Sequence, residues 1–89
     1  MTEQQAIDAL ISSGIHAQVR DWSLGRSIFA GVGEFEHRGI HGYNHAKYIY
    51  LKDAAWHVLD CNVTDQNFAT LEQAVSHTIV TLGALAKSE

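Results

Sequence analysis

The chain of 89 residues has no proline and one cysteine, Cys61, and it is short of positive charge, with six Lys and Arg against ten Asp and Glu. Each shortage excludes something. A lone thiol cannot close an internal disulfide, so no disulfide framework holds the fold. A formal charge of -4 supplies no basic field to gather phosphates, which argues against nucleic acid as a partner. No apolar run approaches the roughly 20 residues that carry a helix across a bilayer, so no membrane partner is expected. Residues 1–5, Met-Thr-Glu-Gln-Gln, carry neither basic residues nor an apolar run, and a cytoplasmic location is the expectation. Without proline, glycine marks the breaks in the chain.

What is present describes one small globular domain over residues 1–89, with hydrophobic residues at 46% and charged residues at 18%. Thr2 and Gln5 have the spacing of a capping box, and Ile7, Leu10 and Ile11 recur at helical spacing before Ser12-Ser13-Gly14. A helix is predicted over about residues 3–13. Thr70 and Gln73 repeat the capping pattern ahead of an apolar stripe of Leu71, Val75, Thr78, Ile79, Leu82 and Leu85, which predicts a second helix weakened late by Gly83.

Between the helices the hydrophobic period changes from 3.6 to 2, the mark of strands with one covered face. Ile15, Ala17 and Val19 alternate with His16, Gln18, Arg20 and Trp22; Ile28, Ala30 and Val32 with Phe29, Gly31, Gly33 and Phe35; Ile49 and Leu51 with Tyr48, Tyr50 and Lys52; and Leu59, Cys61 and Val63 with Trp56, Val58, Asp60 and Asn62. Turns are expected at residues 23–26 and 53–55. The predicted fold is α+β: a two-layer sandwich in which a four-stranded antiparallel β-meander carries N- and C-terminal helices on one face, in the order α-β-β-β-β-α.

With the aliphatic set turned toward the helices, the open face would hold Trp22, Phe29, Phe35, Tyr48, Tyr50, Trp56 and Val58, with Gly31 and Gly33 leaving room beside the rings. A two-layer domain ordinarily presents polar residues there. Cross-strand ring pairs, each contributing about 0.2–1 kcal/mol, account for two or three aromatics on such a face. Five or more point to an association surface, most simply a homodimer that uses one patch twice.

The segment joining the second and third strands, residues 34–45, mixes Glu34 and Glu36 with Tyr43 and three histidines, His37, His41 and His45, at four-residue intervals. As a continuous helix it would stack the imidazoles, but Gly39 and Gly42 interrupt it. As a loop it could fold the three around zinc with Glu34, Glu36 or Asp60 nearby, although loop histidines without cysteine pairs are more often plain solvated residues. No other cofactor is implied. His16, Arg20 and Asp60 are expected together on the open face as a small polar site. His57 and Cys61 lie about 13 Å apart on one strand, too far for a thiolate and its base, and are read as a structural histidine and a buried thiol.

The helix, strands, helix outline resembles double-stranded-RNA-binding domains, which would imply lysines opening the second helix. That position reads Thr70-Leu71-Glu72-Gln73-Ala74, with an acid in place of lysine. The expected function is a small noncatalytic binding domain, homodimeric or bound to another protein through the aromatic face and bordered by the His/Gly segment, with room for a small ligand. Two other functions fit parts of the sequence. One is a small-ligand or metal-dependent enzyme joining the segment histidines to His16, Arg20 and Asp60. The other is an inhibitor or immunity-type protein set against a basic target.

Overall fold

The computed structural model describes residues 1–22, 25–60 and 64–87. Helix α1 spans Glu3–Ser12, strands β1 to β5 span His16–Trp22, Gly25–His37, Ile40–Lys52, Ala55–Asp60 and Asp65–Phe68, and helix α2 spans Leu71–Lys87. The strands form one antiparallel sheet in the order β1-β2-β3-β4-β5.

Both capping boxes form. Thr2 Oγ1 accepts from the Gln5 amide at 3.1 Å while the Thr2 amide donates to Gln5 Oε1 at 2.9 Å. At α2, Thr70 Oγ1 accepts from the Gln73 amide at 3.2 Å, and Gln73 Oε1 accepts from the Thr70 and Ala69 amides at 3.3 and 3.1 Å. Amides that a helix start would otherwise leave unpaired thus gain partners, and the stripe behind each cap is aimed at the sheet. Ala6 and Leu10 of α1 and Leu71, Ala74, Val75 and Leu82 of α2 bury against Ile15, Ala17, Ile28, Ala30, Val32, Ile49 and Val58. Removing one large aliphatic such as Ile49 from water contributes about 1.5–3 kcal/mol. Thr78 is buried in the same layer and donates to the Ala74 carbonyl at 2.8 Å, so its hydroxyl is satisfied.

The α+β layering matches expectation, with three differences that have physical causes. The sheet has a fifth strand, β5, whose Asp-Gln-Asn-Phe sequence carries no apolar alternation because it sits at the sheet's edge and buries little. Residues 34–45 are not a loop: β2 and β3 continue as a paired hairpin to His37 and Ile40, closed by Arg38 and Gly39, whose φ of 52° and 79° suit a tight two-residue turn.

The third difference concerns the faces of β4. Asp53 and Ala54, with φ of 53° and 63°, make another tight turn that sets Lys52 opposite Ala55 and therefore Ile49 opposite Val58. Residues directly opposite share a face, so Val58, Trp56 and Asp60 point to the helix side and Leu59 to the other. Trp56 packs against the core, not on the open face, and Val58 is inside it. Cys61 and Val63, on which the opposite phase was based, lie outside the described residues.

Candidate functional site

The face away from the helices is organised around Phe29. Its ring is only 3% exposed although no helix covers it. The cover is made by the face itself: the Arg20 guanidinium carbon lies 3.9 Å from the ring centroid, with the rings of Tyr48, Tyr43 and His16 at 5.3, 5.5 and 6.1 Å. His16 and Tyr43 stack at 5.0 Å. With its amide oxygen turned toward Arg20, Gln18 accepts from Nε and Nη2 at 2.8 Å each, holding the guanidinium over the ring.

Glycine makes this packing feasible. A Cβ on Gly31 would stand 2.9 Å from Tyr43 Cγ, closer than real side chains come, and a tight 3.1 Å from Phe29. Tyr43 reaches that position because the strand alternation changes phase at Gly33, whose φ is 72°, opposite Asn44, where the ladder skips a pair. The result is a depression of about 210 Å³ lined by Arg20, Phe29, His41, Gly42, Tyr43 and Ala46.

Beyond Gly33 the hairpin is a two-stranded ribbon. It is paired from Glu34 with Tyr43 to His37 with Ile40, and every residue from 34 to 41 is exposed. Phe35 at 41% and Ile40 at 67% are large apolar side chains left in water. Phe35 lies across Gly42, where a Cβ would meet its ring at 3.0 Å. On the face shared with Tyr43, His41 Nε2 stands 2.6 Å from Glu34 Oε1, a diagonal cross-strand pair.

A second cluster occupies the other end of the face. Tyr50 is buried and its ring stacks on His57 at 5.0 Å and 10°. His57 Nδ1 is 3.0 Å from Asp65 Oδ2 on β5, and Nε2 is 3.3 Å from the Lys52 carbonyl. Burial, and then the Asp65 charge, push the Tyr50 phenol above its usual range. Both imidazole nitrogens face acceptors within the fold, which suits a bracket between β4 and β5 better than a base aimed at a substrate.

Of the residues expected on the open face, Phe29, Tyr48, His16 and Arg20 come together and are joined by Tyr43 from the segment expected to border them; Tyr50 lies in the second cluster, and Phe35, opposite Gly42, is turned to the other side of the ribbon by the phase change at Gly33. Asp60 does not join His16 and Arg20: it pairs in register with Lys47 on the helix side, because the tight turn at Asp53 and Ala54 fixes that phase. The side chain of Trp22 lies outside the described residues. His37 and His41 lie on the two ribbon strands and His45 below them opposite Val32, and among the described residues no three His, Cys, Asp or Glu side chains are grouped to hold a metal ion. No protein-family model, curated protein or solved structure matches the chain.

Sequence reasoning missed Gln18, Gly42, Ala46 and the Asp65 bracket. A glycine at a strand position opposite the aromatic Phe35 was the available signal for Gly42, while Ala46, opposite Gly31, carried none. Asp65 had none, since its strand carries no pattern.

Proposed function

We propose that this chain is a noncatalytic binding domain that works through the open face of its sheet and the ribbon that extends it, with a second copy of the chain as the simplest occupant. The observation that carries this is the exposure of Phe35 and Ile40 together on one side of the ribbon, which extends a sheet whose open-face rings are covered. Large apolar side chains held in water at one end of a domain favour association, and a two-fold contact uses the same patch twice. The doubly engaged nitrogens of His57 and the separation of Asp60 from His16 and Arg20 favour binding over catalysis.

Light scattering on the parent, Phe35→Glu and Ile40→Glu tests this. The parent is expected to have the mass of two chains and each variant the mass of one, with the amide spectrum of a folded chain retained because neither side chain belongs to the core, and with the melting temperature lowered only by the concentration-dependent part that association supplies. A parent that stays at the mass of one chain up to submillimolar concentration rejects self-association.

A further inference from the structure

We infer that the depression between β1 and the root of the ribbon is a binding site for a small aromatic carboxylate. This goes beyond self-association and does not depend on it. Arg20 supplies the charge. Arg26 is engaged by Glu3 through two hydrogen bonds of 3.0 and 2.8 Å, whereas among the described residues no carboxylate forms an ion pair with Arg20. Its partners are instead a neutral amide, Gln18, and a ring, Phe29. A guanidinium fixed from beneath and from one side loses little freedom on binding, and its remaining N–H groups match the fork of a carboxylate.

The shape selects the rest of the ligand. Phe29 forms the floor, while Tyr43 and His41, edge to face at 5.4 Å, form an aromatic wall; the small side chain of Ala46 keeps the space open, and Gly42 lines it with backbone. About 210 Å³ is well under the 300–1,000 Å³ typical of drug-sized sites, so the occupant is of single-ring size. A planar ring meets the wall in offset or edge-to-face contact while its carboxylate meets Arg20. Glu34 is the nearby acid, and its carboxylate is held at the His41 imidazole, the wall residue, at 2.6 Å.

Benzoate is the probe, titrated into the full chain and followed by amide and Arg Nε chemical shifts. The expected result is saturable binding with half-saturation near or below about 1 mM, the range open to a one-ring ligand. The shifts should concentrate on Arg20, Gly42, Tyr43 and Ala46. Acetate, lacking the ring, and benzamide, lacking the charge, should each bind at least about tenfold more weakly. Arg20→Gln should abolish the response, and Ala46→Leu, which fills the depression and leaves the guanidinium in place, should do so too. Absence of saturation in the parent overturns the inference, as does equal binding of benzoate and benzamide. So does full binding by a folded Ala46→Leu chain, whatever becomes of Arg20→Gln.

Discussion

Strands β2 and β3 run through two environments, and the contrast between their halves explains most of this molecule. Near the helices they carry Ile28, Ala30, Val32 and Ile49, all buried, while Phe29 and Tyr50 on the reverse are buried by their own neighbours. Past Gly33 the same two strands carry Glu34, Phe35, Glu36, His37, Ile40 and His41, all exposed. A two-stranded hairpin by itself is marginally stable in water, so the ribbon is held by the sheet from which it grows. The core half supplies the stability and the ribbon half supplies surface.

The largest test of that division is a matched pair of isoleucines on β3. Ile49→Ala removes a fully buried side chain at the centre of the sheet and should cost about 2–5 kcal/mol, seen as a lower melting temperature and denaturant midpoint. Ile40→Ala changes the same residue type nine positions earlier, where it is 67% exposed, and should stay within about 0.5 kcal/mol when both are measured at a dilution that leaves the parent as single chains. Comparable losses at both sites would mean that the ribbon is packed in the native state and that the contrast fails.

The isoleucine pair also shows where the sequence could be trusted. The aliphatic alternation of β1, β2 and the second half of β3, and the two capping boxes, are legible because burial and unpaired helix amides leave a mark on composition. Their faces followed correctly. On β4 two apolar alternations overlap, Trp56 and Val58 against Leu59, Cys61 and Val63, and the hydrophobic pattern cannot choose between them. The tight turn at Asp53 and Ala54 chooses, through backbone angles that Ala54 gives no hint of adopting. The ribbon was illegible for a related reason: a strand exposed on both faces needs no alternation, so residues 34–45 read as a loop. The cover over Phe29 was half legible, since Gly31 signalled a close approach without naming Tyr43 as the ring that makes it.

A smaller effect separates two glycines on either side of the same boundary. Gly31→Ala places a methyl against Tyr43 and Phe29 and should cost about 1–3 kcal/mol by overpacking, with changed ring-current shifts for Tyr43 and His16. Gly39→Ala meets nothing within 4 Å, so its cost comes only from a φ of 79° and should be about 1 kcal/mol. If the two rank the other way, the Phe29 cluster is looser than its geometry, and the depression beside Arg20 would lose its fixed floor.

The smallest effects concern the covered half alone, where its two faces should respond to opposite ends of the pH scale. His77 on α2 packs against the ring of Phe68 at 5.1 Å with its Nε2 buried and unpaired among the described residues. Burial first, and then the charge of Lys47, lower its pKa below the usual histidine range. As pH falls through the ordinary histidine value near 6.5, the unfolded chain therefore takes up a proton that the folded chain refuses, and stability declines. Tyr50 on the reverse face has its pKa raised, so the sign is the other: its contribution is complete below about 10, the ordinary tyrosine value, and is lost as pH rises beyond it. Denaturant midpoints across the pH range should lose part of the acid decline in His77→Phe and part of the alkaline decline in Tyr50→Phe, each variant leaving the other limb intact. A single substitution that flattened both limbs would show the two faces to be one coupled unit, and the helix layer would then answer for the ring layer as well.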